Sequence, residues 1–430
     1  MSGRKMDTGS VAEDALREHA AVCALMGLGK QDARPAGAVV GTIDDAGTLR
    51  VAAAGWAVLP RDADDARPVA VSPAARLAAR SEARPRTAAR MDARCLIDVA
   101  SVTKMASTTM LAMMLVDAGE LRLDDAVCRY LLGFADGDKS RVTVRQLMTH
   151  TAGLRPWWPL YCETTRRDEA LRVMERLPLA AAPGSTWRYS DLGMSLMGFV
   201  IERITGHTIG HAFDEMIARP LNLTGGYGPC LSAARIVDIA GSYDSDAYEY
   251  AMIQTKTPYD VPYMVDDFDG WLGRWTPGSV NDGNAAHALG GESGHAGLFA
   301  SVPDLLDIAR AAWQERLFSH DVLDAFSQPV PIHPAQAVGF RHAVVDVDGR
   351  EETVLYHPGF TGSWFGFILA RHVAVAGGAM RLYGGLGMID DIRRDPARHT
   401  RIAPSADIAR ILTDTLRERA IQSVRDGAWL

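Results

Sequence analysis

Asp98-Val99-Ala100-Ser101-Val102-Thr103-Lys104 is the stretch around which the chain is organised. Its centre is a Ser-x-x-Lys pattern at the front of a run, Met105 to Gly119, whose composition predicts a helix. Residues three apart share a helical face, so the Lys104 amine is expected beside the Ser101 hydroxyl. A serine hydroxyl becomes a useful nucleophile only when a neighbouring base takes its proton. Lysine can be that base where burial and other cations lower its pKa. The positive end of the helix would favour the developing alkoxide. Only five of the 45 basic residues are lysines, so Lys104 is not background filling in an arginine-dominated composition. Alone, the pattern is short and common, and a helix-capping serine followed by a solvated lysine meets it more simply.

The context begins with composition. A length of 430 residues suits one large two-lobed domain or a few ordinary ones. With 47% hydrophobic and 23% charged residues the balance is that of a globular protein. A formal net charge of −8 argues against a nucleic-acid or anionic-membrane partner. Cys23, Cys95, Cys128, Cys162 and Cys230 are scattered and form no Cys-x-x-Cys or Cys/His cluster. Neither a metal site nor a disulfide framework is expected from them, and no cofactor is expected. The first ten residues lack the apolar segment of a signal peptide. No run approaches the ~20 apolar residues of a membrane span. These features lead to the expectation of a cytoplasmic protein.

Along the chain, residues 10–27 read as an amphipathic helix. Residues 36–43 and 48–56, around Asp44-Asp45-Ala46-Gly47, read as a β-hairpin. Residues 60–90, rich in Ala, Arg, Asp and Pro, read as a surface insertion. The apolar residues of the Ser101 helix spread around most of its circumference, as in a buried helix. Helical patterns continue over 142–149, 166–177 and 192–204, while 240–290 looks irregular, and 303–317 is helical again. Strand character returns at 339–347, 353–356 and 362–370, and an amphipathic helix covers 405–424. Val373-Ala-Val-Ala-Gly-Gly378 shows no strand pattern that would close the sheet. The expected fold class is α+β. An antiparallel sheet is built from the N- and C-terminal segments (about 10–100 and 335–425) and flanked by helices, with a mainly helical lobe over about 105–330. A cleft between the lobes is the natural place for a site. The whole of 1–430 is expected to be one catalytic domain.

Four further segments carry a family resemblance: Leu147-Met-Thr-His-Thr-Ala-Gly-Leu154, Pro183-Gly-Ser-Thr-Trp-Arg-Tyr-Ser-Asp-Leu-Gly193, Gly294-His-Ala-Gly-Leu-Phe-Ala-Ser301 and His357-Pro-Gly359. With Ser101-Val-Thr-Lys104 they resemble, in order and spacing, the serine β-lactamase and penicillin-binding-protein superfamily. The branch is that of class C β-lactamases, D-Ala-D-Ala carboxypeptidases and β-lactamase-like esterases, and the likeness runs from about residue 36 to 370. It implies a β-lactamase/DD-peptidase-like fold and an acyl-enzyme on Ser101. Tyr189 matches the family's tyrosine, and the resemblance implies that it works with Lys104 as general base, because nearby cations can pull a phenol below its usual ~10.

Two positions depart from the family pattern. Asp191 stands where an asparagine is usual, and a carboxylate accepts hydrogen bonds but cannot donate to a substrate carbonyl. It can still hold Lys104, raising the lysine pKa and shifting the burden of base to Tyr189. His357 stands where many members have lysine, which resembles the esterase-like members more. The resemblance places the oxyanion between the N–H of Ser101 and that of Thr361 or Gly362, on the strand containing Gly359. Trp157, Trp158 and Tyr161 lie on a loop that either overhangs the cleft and grips an apolar group or is anchored by packing. His150 and His295 are expected to organise their loops.

The functional expectation is a serine hydrolase of carboxylesterase type, taking a small ester or amide and no metal. The alternatives are a D-Ala-D-Ala carboxypeptidase or β-lactamase, and a catalytically silent binding protein of the same fold. The oligomeric state is open.

Overall fold

The computed structural model describes residues 8–29, 33–59, 88–236, 238–384 and 386–425. The expected insertion at 60–90 lies outside them except for its last three residues. Helix α1 (Thr8–Met26) leads into strands β1 (Gly37–Ile43) and β2 (Arg50–Val58), followed by the short β3 (Ala89–Arg90). Strand β4 (Ile97–Asp98) then delivers the chain to Ser101. A π-helical turn over Lys104–Thr109 follows and continues as helix α2 (Met110–Asp117). Helix α3 spans Asp191–Thr205, and strands β5 (Gly226–Tyr227) and β6 (Leu298–Ala300) precede helix α4 (Val302–Trp313). The chain returns through β7 (Arg341–Val347), β8 (Arg350–Pro358), β9 (Ser363–Ile368) and β10 (Val373–Ala379) to helix α5 (Ser405–Arg425).

Seven strands form one sheet in the order β3-β2-β1-β10-β9-β8-β7, with every neighbouring pair antiparallel. A second, three-stranded sheet has the order β4-β6-β5, and β4 leads directly to the Ser101 turn. The large sheet is buried on both faces, and alternation along its strands sorts the side chains. Ala38, Val40, Val373 and Val375 face one core with Val22 and Leu25 of α1 and Ile408, Leu412, Leu416 and Ala420 of α5. Val39, Ile43, Ala374 and Ala376 face the other with Leu305, Ile308 and Ala312 of α4. The four-residue spacing along α5 is that of one helical face. Ser301 caps α4 reciprocally with Asp304, which fixes where that helix begins.

Val373–Ala379, which did not resemble a closing strand, is the central strand of the sheet, paired with both β1 and β9. Because it is buried on both faces, it shows no apolar-polar alternation. Its Gly378 exists for close approach, since a Cβ there would lie 2.1 Å from the Gly362 carbonyl oxygen. Within 240–290, residues Ala247–Thr255 are helical, which the aromatic-rich composition obscured.

Candidate active site

The site is built where three backbones meet. Ala100, immediately before Ser101, has φ of 46°, a left-handed conformation that costs an alanine energy. Buried Asp98 holds it there: one carboxylate oxygen accepts from Ala100 N–H (2.9 Å) and the other from Asn281 N–H (2.8 Å). From the opposite side the β8–β9 corner grips the same turn. Thr361 Oγ1 donates to the Asp98 carbonyl (2.8 Å) and Ser363 Oγ to the Val99 carbonyl (2.7 Å). Gly359 makes room for this contact, because a Cβ on it would lie 1.9 Å from Ser363 Oγ and 2.5 Å from Val99 O. Ser101 therefore emerges from an over-determined turn at the head of its helix.

Lys104 is buried beneath it. Its Nζ donates to Ser101 Oγ (2.8 Å) and to the His295 carbonyl (3.1 Å), and lies 2.8 Å from Asp191 Oδ1. The His295 carbonyl is positioned by tight packing. Gly294 lies against α3, where a Cβ would meet Met194 O at 2.1 Å, and Thr108 Oγ1 donates to Gly294 O (2.7 Å). The His295 ring is held by Asp282 through Nε2 (2.9 Å), with Ser195 and Ser293 hydroxyls 2.8 Å from Nδ1. It organises its turn, as does His150, whose Nδ1 accepts from Ser190 N–H (3.2 Å).

Tyr189 sits just before α3, beside Lys104 and Ser101, both of which favour its ionised form. Lys104 Nζ is 5.0 Å from its ring centroid. The next residue, Ser190, caps α3 by accepting from Gly193 N–H (3.1 Å), which places Asp191 in the first turn beside Lys104. The structure thus brings Ser101, Lys104, Tyr189 and Asp191 together.

The electrostatics differ from the sequence expectation at one point. Burial alone would lower Lys104, but the negative charge of Asp191, aided by Tyr189, wins and raises it above the ordinary lysine value. Lys104 is therefore a fixed cation. Tyr189 was expected below its usual value. It is instead raised, because burial and Asp191 oppose ionisation by more than Lys104 favours it. His357 lies at the end of β8, buried, with its Nδ1–H donating to Pro358 O (2.8 Å). Burial and the nearby Lys104 charge push it well below the usual histidine range, so it is neutral, and its Nε2 is a buried acceptor without a partner. His150 is likewise pushed down to about 3 by burial and by Lys104.

On the oxyanion side, the Gly362 N–H is not free, since it donates to Gly359 O (3.0 Å). The N–H groups of Ser101, Phe360 and Thr361 have no acceptor among the described residues. Thr361 contributes its backbone only, because its side chain is fully buried on Asp98 O. Trp157 is buried and stacks on Tyr259 with ring centroids 5.7 Å apart. Trp158 and Tyr161 are anchors, bonded to Glu163 and Glu249 respectively. Burial, with the charge of Asp191 behind it, raises the Tyr259 phenol, which no pattern in the sequence marked, to about 12. Among the described residues no group of acidic, histidine or cysteine side chains could hold a metal ion.

A Ser-x-x-Lys nucleophile with a tyrosine above it, between a helical lobe and an antiparallel sheet, defines a class of serine hydrolases. The Beta-lactamase family profile matches residues 31–395, and the chain belongs to that family. It is similar to a putative D-alanyl-D-alanine carboxypeptidase of Escherichia coli O157:H7, with 31% identity and 49% of each chain covered. It is also similar to an N-acetylmuramyl-L-alanine amidase of Bacillus subtilis (strain 168), with 27% identity and 60% of each covered. The chain thus spans about half the length of the first of these relatives. Among solved structures, a class C β-lactamase superposes with a TM-score of 0.60 at 16% identity, covering 89% of this chain and 97% of the other. EstCE1, a hydrolase with promiscuous acyltransferase activity, gives 0.59 at 18%, covering 96% and 99%. At these identities the solved structures speak for the fold. Among the described residues no helix is long and apolar enough to cross a membrane.

Proposed function

We propose that this chain is an acyl-transferring serine hydrolase that attacks through Ser101 and acts on carboxylic esters. The observation that carries the reading is the 2.8 Å contact from Lys104 Nζ to Ser101 Oγ, with the Tyr189 ring centroid 5.0 Å from the same Nζ. Ser101 Oγ forms the bond to the substrate carbonyl carbon while its proton passes to the ionised Tyr189 oxygen. The oxyanion is received by Ser101 N–H and by an N–H of the Phe360–Thr361 corner. Tyr189 O–H then returns the proton to the departing alkoxide as the acyl-enzyme forms. Water repeats the sequence in reverse, with Tyr189 taking its proton. Lys104 remains cationic throughout, aligning Oγ and favouring negative charge on Tyr189.

The ester preference rests on Asp191, which cannot donate to an acylamino carbonyl, and on neutral His357, a weak partner for a terminal carboxylate. A second reading, hydrolysis of peptidoglycan-type amides, is favoured by the names of the carboxypeptidase and amidase relatives. The purified protein and Ser101→Ala, assayed with 4-nitrophenyl butyrate, a D-Ala-D-Ala peptide and nitrocefin, separate the possibilities. Ser101-dependent ester turnover well above turnover of the other two is expected. Equal background rates in both proteins would remove the nucleophile and favour a silent binding protein.

A further inference from the structure

The Lys104 ammonium has three protons to donate and three acceptors around it: Ser101 Oγ, the His295 carbonyl and Asp191 Oδ1. These acceptors lie on three separate elements, the turn after β4, the loop before β6 and the first turn of α3. Each leads back, through contacts that do not involve Lys104, to the two-residue segment Asn281-Asp282. The Ser101 turn is held by Asp98, whose second carboxylate oxygen accepts from Asn281 N–H (2.8 Å). His295 is held by its ring, with Nε2 2.9 Å from Asp282 Oδ1. Asp191 is reached through Ser195, whose hydroxyl donates to the Asp191 carbonyl (2.9 Å) and lies 2.8 Å from Nδ1 of the same His295 ring.

The segment is itself fixed. Asp282 Oδ1 also accepts from Ala285 N–H (2.9 Å), at the start of the π-helical turn Asn284–Ala288. Beside it, Gly283 N–H donates to Glu249 Oε1 (2.7 Å), whose other oxygen accepts from the Tyr161 hydroxyl (2.8 Å). A side chain on Gly283 would collide with that carboxylate. Ser195 and His295 are 2% and 1% exposed, so water does not compete for their contacts. Ser293 provides a contrast. Its hydroxyl is also 2.8 Å from His295 Nδ1, but among the described residues it forms no bond to α3.

We propose that Asp282 and Ser195 are positioning residues: with the His295 ring between them, they form a clasp that keeps the three acceptors of Lys104 in register. The inference rests on Ser101 and Lys104 being the working pair of the proposed hydrolase. Among the described residues neither Asp282 nor Ser195 bonds to Ser101 or Lys104, so the clasp acts only through the geometry of the lysine. An ammonium bonded at all three protons is held in one orientation. Loosening one acceptor lets it turn, and Ser101 Oγ loses its alignment.

The full-length protein carrying isotope-labelled lysine tests this, because the chain has only five lysines and Lys104→Met identifies the signal. A buried, hydrogen-bonded ammonium keeps its protons long enough to be followed by NMR near neutral pH, whereas an exposed one does not. In Ser195→Ala and Asp282→Ala the Lys104 ammonium protons are expected to exchange with water at least ~10-fold faster than in the wild type, and in Ser293→Ala less than ~3-fold faster. With reactive Ser101 counted by a fluorophosphonate, kcat per site for 4-nitrophenyl butyrate should fall ~10-fold or more in the first two variants while KM stays within ~3-fold. A residue serving stability alone would lower the number of reactive sites and leave both kcat per site and the exchange rate at wild-type values. Unchanged exchange in Ser195→Ala, equal acceleration in Ser293→Ala, or faster exchange with unchanged kcat per site overturns the clasp. Should the wild type show no Ser101-dependent turnover, the proposed activity falls and the exchange rates alone decide the clasp. If Asp282→Ala does not fold, Ser195→Ala, which removes one buried oxygen, carries the test.

Discussion

Asp191→Asn is the substitution that reports most directly on how Ser101 is activated. In the resting protein both Lys104 and Tyr189 carry their protons, because Asp191 raises Lys104, and burial, with Asp191 beside it, raises Tyr189. Catalysis requires one of those protons to leave, so kcat/KM should climb on the alkaline side of neutrality as the pair loses it. Lys104 Nζ and Asp191 Oδ1 are 2.8 Å apart, which corresponds to about 6 kcal/mol at an effective dielectric of 20 and about 1.5 kcal/mol at 80. The Asp191 side chain keeps 18% of its surface in solvent, so a value toward the lower end, about 1.5–3 kcal/mol, is appropriate. Removing the carboxylate should move the alkaline limb down by about one to two pH units. Asparagine keeps the shape and still accepts from Lys104, so the fold should survive. The assay is kcat/KM for an activated ester between pH 6 and 10, beside the wild type. A limb that stays in place, or moves upward, would refute the claim that Asp191 sets the protonation of the pair.

Other outcomes follow from the same geometry. Ser101→Ala should abolish ester turnover, and Lys104→Met and Tyr189→Phe should each lower kcat by ~100-fold or more, measured by steady-state kinetics; full activity in either of the last two removes that residue from the mechanism. Gly359→Ala should lower both kcat and the melting temperature, because its methyl collides with Ser363 Oγ and Val99 O; a thermal melt and an ester assay on one preparation check it. Asp98→Ala leaves two buried N–H groups without an acceptor and should cost about 1–3 kcal/mol of stability in urea unfolding. The pH dependence of stability has a defined sign. His150 and His357 have folded values depressed below 6.5, so the unfolded chain binds more protons and stability falls as pH drops below about 6.5, by up to ~1.4 kcal/mol per unit for each. Asp98, raised to about 6 by burial, binds its proton earlier in the folded state and gives part of this back between about pH 6 and 4. In His357→Gln, urea unfolding at pH 7 and 5.5 should differ by less than in the wild type.

The strands and helices with one wet face were legible in the sequence, as were the pairing of Ser101 with Lys104 and the tyrosine loop, because local periodicity and short motifs carry them. The central strand β10 was not legible. Burial on both faces erases alternation, and its Gly377 and Gly378 pair with Val40 and Val39, 337 and 339 residues away. The same limit applies to the site. Ser101 and Lys104 are three residues apart and betray each other, and Tyr189 and Asp191 come with a marked loop. The direction of the Tyr189 shift was also hidden, since it depends on the balance of burial, Asp191 and Lys104 at ångström distances. Gly362 matched a motif for donating to the oxyanion, yet its N–H closes a turn onto Gly359.

The pairing of β1 with β10 also sets a timetable for synthesis. At about 5–20 residues per second, β1 waits roughly 17–70 s for the partner that gives it a second neighbour. During that interval the edge formed by Ala38–Ile43 is open to any other extended chain, including that of a neighbouring ribosome on the same message. Crowded, fast translation should therefore produce aggregates seeded at the N-terminal hairpin, and slowing synthesis by lowering the growth temperature should raise the yield of folded protein.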